Sequence, residues 1–219
     1  MFHPNDNPLD RGWVGRIDGD RMLHLAAQTL QSYFLAGGGS RVHAEYPLAD
    51  VTLLVPVQYP PTVRLFDTES TFRFANSAAV VGTGVAVTGT ALSARARIAV
   101  VIGAGGEVGG TTAMLEWHDP AESPEVKQSD FGIVLGPVVV TPEELGPDGL
   151  GWRLSAADRS VEGVAEGFDW GAAVELAGHR TTLRPGDVLA GPPVATLEAV
   201  DDDVERELDG NGRLAGPLP

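Results

Sequence analysis

The chain of 219 residues contains no cysteine, which excludes disulfide bonds, thiolate nucleophiles and cysteine-ligated metals. It also lacks an apolar run of about 18 or more residues, so we expect no transmembrane helix. The N-terminal stretch MFHPNDNPLDRGW has neither the basic start nor the apolar middle of a signal peptide. Together these absences predict a cytoplasmic protein.

Basic residues are scarce, with 15 lysines and arginines against 30 acidic residues and a net charge of −15. Such a surface repels a phosphate backbone, and no basic stripe offsets it, so we expect neither nucleic acid nor a membrane as a partner. The acidity is typical of a surface that keeps a protein soluble. Hydrophobic residues reach 43%, which indicates a folded core and not a disordered chain.

Two helices are predicted from the spacing of apolar residues. The first covers residues 20–37, with Asp20 as N-cap and Gly37 as its end, and the second covers residues 166–179. A short helical turn is expected at TPEEL, where Thr141 is placed to cap and Glu144 to complete a capping box.

Most of the remaining chain favours strands. The candidate segments are rich in β-branched residues and are separated by glycine or proline: 51–57, 71–75, 78–89, 95–103, 132–141, 187–191 and 194–200. Strands in runs, with few helices between them, predict a β-dominated α+β fold and not alternating βαβ units. The proline-marked segment VQYPPTV suggests a division into a small N-terminal α/β domain, residues 1–60, and a main domain, residues 61–219.

A glycine cluster follows an apolar run in ARARIAVVIGAGGEVGG, residues 94–110. A dinucleotide-binding loop needs G-x-G-x-x-G at the start of a helix, but Val108 occupies the third glycine position. The segment TTAMLEW that follows is too short for the helix before Asp119 and Pro120 end it. We therefore predict a glycine-rich turn between two strands.

Six segments, in order, resemble bacterial members of the fumarylacetoacetate hydrolase family that have a small N-terminal domain. They are LADVTLLVPVQYPPTVR, FRFANSAAVVGTG, RIAVVIG, DFGIVLGPVVVTPEEL, LRPGDVLAGPP and DVERELDGNGRLAGPL. The resemblance covers nearly the whole chain from about residue 13. It implies a β-rich mixed roll, usually dimeric, which agrees with the fold class expected from the strand pattern.

The resemblance also implies chemistry on small oxo acids and 1,3-diketones. In the family a Mg²⁺ or Mn²⁺ ion is held by a Glu-x-Glu pair and an aspartate, and it stabilises an enolate. Matching RIAVVIG places the Glu-x-Glu positions on Arg95 and Arg97, and the third ligand position on Glu116. Arginine has no lone pair to offer a metal. We therefore expect no metal. We also expect no other cofactor.

Other family groups are changed as well. The segment VRLFDTESTFRFANS is too short for the lid that carries a catalytic His–Glu pair, and only Glu69 remains as a possible trace of it. The family's lysine before the DF pair corresponds to Ser129, with Lys127 two residues earlier.

Folding the remaining polar residues onto the family pocket gives seven candidates. Those assigned to catalysis are Glu116, His118 and Lys127, and those assigned to substrate binding are Arg95, Arg97, Asp119 and Asp130. Two interpretations stay open for the arginines: a buried ion pair with Glu116 that needs no function, or bidentate binding of a substrate carboxylate or enolate. In the second case Glu116 or His118 moves protons.

The leading hypothesis is a metal-independent protein that acts on an enolisable oxo acid or 1,3-dicarbonyl compound by hydrolysis, decarboxylation, isomerisation or cyclisation, with specialised metabolism as a suggested setting. A second hypothesis is an inactive relative that serves as a binding or partner subunit. A third is a conventional Mg²⁺-dependent hydrolase whose ligands lie elsewhere in the sequence. A homodimer is expected from the resemblance.

Overall fold

The computed structural model describes residues 1–145 and 149–218. The N-terminal part contains β1 (Phe2–Pro4), β2 (Gly15–Asp18), β3 (Arg21–Leu25), α1 (Leu30–Leu35), β4 (Val42–Pro47) and β5 (Val51–Leu53). Strands β2, β3 and β4 form an antiparallel sheet, and β1 pairs with β5. These sheets share no strand with those formed by the described residues after β5, although the domain division at residue 60 stays a prediction.

The predicted helix over residues 20–37 is wrong in its first half. Residues Arg21–Leu25 form β3, paired on both sides, and the helix is only the six residues of α1. Its N-cap is Thr29, which exchanges hydrogen bonds of 3.1 Å and 3.0 Å with Ser32. Strand pairing overrides the helical spacing because Gly19, at φ 62°, closes a tight turn between β2 and β3.

The main part contains eleven strands and one helix among the described residues. They are β6 (Val63–Thr68), β7 (Thr71–Ala75), β8 (Val80–Val81), β9 (Ser93–Ile102), β10 (Val108–His118), β11 (Ile133–Leu135), β12 (Leu150–Ala156), β13 (Arg159–Ala165), α2 (Trp170–Gly178), β14 (Val188–Leu197), β15 (Val204–Leu208) and β16 (Gly212–Gly216). Short 3₁₀ turns lie at Leu48–Asp50, Ser77–Ala79, Ala104–Gly106 and Glu125–Ser129.

A seven-stranded mixed sheet in the order β7-β6-β14-β9-β10-β11-β8 is the centre of the fold. Strand β14 runs parallel to β6, and β11 runs parallel to β8, whereas the other neighbours are antiparallel. The long hairpin of β9 and β10 is closed by the glycine cluster, with Gly105 and Gly106 at positive φ. This confirms the predicted glycine-rich turn between strands.

A second sheet, in the order β13-β12-β15-β16, covers part of one face of the main sheet. Fully buried Leu115 and Trp117 on β10 pack with Leu154 and Leu214 in this core. Each such leucine contributes about 1.5–3 kcal/mol relative to exposure to water. Helix α2 packs farther along, with Ala173 and Ala177 in the cluster that contains Ile102.

The predicted second helix is confirmed with shorter bounds, since Asp169 caps α2 by accepting a hydrogen bond of 2.9 Å from the Ala172 N–H. The segment at Thr141 forms a turn and not a helix, although Glu144 does accept hydrogen bonds from Thr141. The β-dominated α+β class, with a curled mixed sheet, is confirmed. Among the described residues, the helices are too short or too polar to cross a bilayer.

Candidate functional site

The hairpin of β9 and β10 brings three predicted residues together. Arg95 is directly opposite Glu116, and Arg97 is opposite Met114, two pairs farther along. Because side chains alternate on a strand, Arg95, Arg97 and Glu116 all lie on one face of the sheet. Glu116 is completely buried.

Both oxygens of Glu116 accept hydrogen bonds from arginines. Arg97 Nε donates to Oε2 over 2.7 Å, and Arg73 Nη2 donates to Oε1. Arg95 Nη1 lies 3.7 Å from Oε1. We call these four residues, Arg73, Arg95, Arg97 and Glu116, the arginine–glutamate cluster.

Arg73 is a member of the cluster that the sequence analysis missed. It lies on β7, at the edge of the main sheet, and the curled sheet carries it to Glu116 on β10. One signal was present: in TFRFA an arginine stands between two phenylalanines, so it points to the opposite face of the strand from both.

Arg97 is almost fully buried, and backbone carbonyls complete its coordination. Its Nη1 donates to the carbonyls of Phe66, at 2.9 Å, and Gly191, at 2.8 Å. Burial lowers the pKa of Arg97, and the neighbouring Glu116 opposes this shift. The guanidinium stays charged at neutral pH. By contrast, the side chains of Arg73 and Arg95 are 38% and 27% exposed, so two of the three cations reach solvent.

A fourth arginine lies between the two sheets. Arg206 on β15 is completely buried and donates to the carbonyl of Arg97 over 3.2 Å. Burial lowers the pKa of Arg206 to about 10, so it too is charged at neutral pH. The second sheet thereby contacts the backbone of the cluster.

His118 lies two residues after Glu116 and therefore on the same face of β10. Its Nδ1 is 2.9 Å from Ser129 Oγ, a contact that fixes the plane of the ring. Burial, and next the charge of Arg95, lowers the pKa of His118. The imidazole is consequently neutral at about pH 7 and able to accept a proton.

The carboxylate of Asp119 is turned toward backbone N–H groups of its own loop and of the segment just before β9. It is buried and accepts hydrogen bonds from the N–H groups of Thr90, Ala121 and Ala91, at 2.6, 2.9 and 3.3 Å. These donors, Thr90 foremost, hold the pKa of Asp119 below its ordinary value. A substrate would have to compete with these three contacts, and the predicted binding role of Asp119 stays a prediction.

Lys127 and Asp130 form an ion pair with each other. Lys127 is exposed, in the short turn Glu125–Ser129 whose last residue contacts His118. The structure thus connects this segment to the site through Ser129. The predicted catalytic role of Lys127 and binding role of Asp130 stay predictions.

The cluster does not fit a divalent metal ion. Mg²⁺ and Mn²⁺ need several oxygen ligands, whereas here one carboxylate is surrounded by three guanidiniums that repel a cation and cannot ligate it. Across residues 1–145 and 149–218, no group of three or more histidine, aspartate or glutamate side chains is placed to hold a metal.

A cleft of about 790 Å³ lies at the other end of the β9–β10 hairpin. Phe34, Gly103, Val108 and Val139 are among the residues that line it, between the N-terminal part and the main sheet. None of the four cluster residues lines this cleft. The glycine-rich turn therefore borders a cleft separate from the arginines.

Neither a family model nor a curated protein sequence matches the chain. Solved structures do match along nearly its full length. Maleylpyruvate hydrolase from Sphingobium sp. SYK-6 has 21% identity and a TM-score of 0.76, over 95% of this chain and 96% of that one. The chain has the fumarylacetoacetate hydrolase fold.

Two further structures with the fumarylacetoacetate hydrolase fold are similar. The 2-hydroxyhepta-2,4-diene-1,7-dioate isomerase from Mycobacterium marinum has 20% identity and a TM-score of 0.75, over 93% of this chain and 91% of that one. A 2-keto-3-deoxy-D-arabinonate dehydratase, solved with magnesium and 2,5-dioxopentanoate, has 16% identity and a TM-score of 0.75, over 96% of each chain. The Sphingobium hydrolase has been solved with manganese and pyruvate.

Proposed function

We propose that the protein binds a small enolisable oxo acid, or a related 1,3-dicarbonyl compound, and acts on it without a divalent cation. We also propose that it is a divergent member of the fumarylacetoacetate hydrolase family. The observation that carries the proposal is the buried carboxylate of Glu116, held by Arg73, Arg95 and Arg97 at the position where the resemblance implies a metal. Guanidinium groups bind carboxylates and enolate oxygens through strong charged hydrogen bonds.

Binding is assigned to the two partly exposed arginines. A guanidinium carries five N–H donors, and Arg73 and Arg95 each use few of them on Glu116. The remaining donors are available to a carboxylate that arrives from solvent. Glu116 offsets the mutual repulsion of the arginines and fixes their orientation, so its proposed part is that of an anchor and not of a proton carrier.

Proton transfer is assigned to His118. Its neutral ring takes a proton from the carbon next to the carbonyl, the electrons of that C–H bond form a C=C bond, and the carbonyl oxygen becomes an enolate oxygen. The guanidiniums of the cluster stabilise that negative charge. Return of the proton to the same carbon gives exchange, and return to another carbon gives isomerisation. We propose no step for Lys127 or Asp130.

The test uses pyruvate in D₂O with chelator-treated protein and excess chelator. We expect loss of the pyruvate methyl signal in proton NMR, faster than in buffer alone. His118→Gln should lower the maximal rate, and Arg95→Gln should raise the half-saturating concentration. Arg153→Gln is the matched control, because Arg153 forms an exposed ion pair with Glu162 on the second sheet. Exchange that appears only after Mg²⁺ or Mn²⁺ is added would contradict the proposal and favour a conventional metal-dependent hydrolase.

An inactive binding or partner subunit is the second candidate. It is favoured by the complete burial of Glu116 and the near-complete burial of Arg97, which a purely structural ion pair would also show. Pyruvate binding without any exchange, measured on the same sample, would support this candidate over the first.

We further propose that the protein is a cytoplasmic homodimer. The proposal of a dimer is based on the resemblance to the family, and the proposal of a cytoplasmic location is based on the absence of cysteine. Light scattering coupled to size-exclusion chromatography tests the dimer, and a monomeric mass would contradict it.

A further inference from the structure

A second carboxylate stands on the solvent side of the arginine–glutamate cluster. Asp67, near the end of β6, has a side chain that is 63% exposed, and its Oδ1 lies 3.9 Å from Arg97 Nη2. The carbonyl of the preceding residue, Phe66, accepts a hydrogen bond from the same guanidinium. Because Phe66 precedes Asp67 in the chain, this hydrogen bond holds Asp67 beside the guanidinium of Arg97.

Asp67 changes the charge that the site presents to a ligand. Around the Glu116 carboxylate and the Arg97 guanidinium, ion pairs of up to 4.0 Å join the three guanidiniums of the cluster to two carboxylates, Glu116 and Asp67, which leaves one net positive charge. Two further charges lie near the cluster and are of opposite sign: the buried cation of Arg206, which donates to the Arg97 carbonyl, and the exposed carboxylate of Glu198, whose field reaches His118. The surplus stays at one positive charge.

We infer that Asp67 makes this site selective for monoanionic oxo acids over dianionic ones. The inference rests on the proposed function, because it concerns the ligand of the same site. The first carboxylate of a ligand neutralises the surplus charge. For a second carboxylate no uncompensated positive charge remains at the site, and Asp67 repels it. Asp67 is exposed and stays hydrated, so its charge persists when the ligand binds.

The test compares two ligands of equal length by calorimetry: 2-oxopentanoate, a monoanion, and 2-oxoglutarate, a dianion. We expect the wild-type protein to bind 2-oxopentanoate more tightly. In Asp67→Asn the dissociation constant of 2-oxoglutarate divided by that of 2-oxopentanoate should fall by about three- to tenfold. This is the effect of one charge several ångströms away near a surface. The fall should come from tighter binding of 2-oxoglutarate. Asp202→Asn, an exposed aspartate on the loop before β15, is the matched control and should leave the ratio unchanged.

Salt separates a charge effect from a structural one. At about 1 M salt the difference between wild type and Asp67→Asn should nearly disappear, because the screening length falls to about 3 Å. If both ligands bind but the ratio is the same in Asp67→Asn and wild type, the selectivity inference is wrong while the proposed function stands. If neither ligand binds the wild type, both are wrong.

Discussion

The buried carboxylate of Glu116 gives the sharpest stability prediction. Glu116→Gln keeps the shape of the side chain but removes its negative charge. Arg97, with a side chain only 2% exposed, then loses its buried anionic acceptor and keeps the carbonyls of Phe66 and Gly191 and the exposed carboxylate of Asp67 at 3.9 Å. Arg73 and Arg95 also lose the charge that offsets their repulsion.

The magnitude follows from what remains around Arg97. Removing one partner of a buried ion pair costs about 3–5 kcal/mol. The two carbonyl acceptors and the partial exposure of the other arginines favour the lower limit, about 3 kcal/mol. For a chain of this size that corresponds to a fall of about 6–12 °C in Tm.

Urea unfolding followed by tryptophan fluorescence measures the effect, since Trp117 is adjacent to Glu116 and fully buried. The double variant Arg97→Met/Glu116→Leu removes both buried charges and should recover at least half of the lost stability. Glu162→Gln, in the exposed pair with Arg153, should cost no more than about 0.5 kcal/mol. A Glu116→Gln variant within about 1 kcal/mol of wild type would refute the buried cluster.

Three further predictions concern single positions. Backbone donors, Thr90 first, lower the pKa of Asp119, so its contribution to stability is complete above the ordinary value of 3.8 and is lost as pH falls through the lower folded value. The difference in the free energy of unfolding between wild type and Asp119→Asn should therefore shrink below pH 3.8. A difference that does not change with pH would contradict the role of these backbone donors. Because burial and Arg95 lower the pKa of His118, the exchange rate of pyruvate should fall to half its plateau below pH 6.5, and a midpoint at or above that value would exclude His118 as the base. Gly110→Ala would place Cβ 2.6 Å from the Val140 carbonyl oxygen and should cost about 1–3 kcal/mol, whereas Gly39→Ala, with open space around it, should cost less than 1 kcal/mol; equal Tm values would contradict the packing there.

The sequence was informative where the determining interactions are local. The strand period alone places Arg95 and Arg97 on one face, and the glycines of residues 103–110 mark the turn that folds β10 back onto β9. That hairpin brings Glu116 opposite Arg95. Contact of Glu116 with Arg95 or Arg97 could therefore be predicted from the sequence, and a buried ion pair was one of the two interpretations. The fold class was predictable from the run of strands and from the resemblance.

Long-range pairing explains what the sequence did not reveal. Arg73 reaches Glu116 only because the sheet curls, and no local pattern reports on that curvature. The segment Arg21–Leu25 has helical spacing, yet it pairs with β2 and β4, which satisfy its backbone on both sides. The Gly19–Asp20 dipeptide, which is the loop between the paired residues Asp18 and Arg21, was the signal for this hairpin.

A variant with acidic residues restored provides the positive control for metal binding. Arg95→Glu/Arg97→Glu places two carboxylates beside Glu116, the oxygen ligands that hard cations require.

The most direct test of a site without a divalent cation is calorimetric titration of chelator-treated wild-type protein with Mn²⁺, in the presence and absence of pyruvate. We expect no stoichiometric binding to the wild type in either case, and measurable binding to Arg95→Glu/Arg97→Glu. Tight stoichiometric binding of Mn²⁺ to the wild type that Glu116→Gln abolishes would contradict the account.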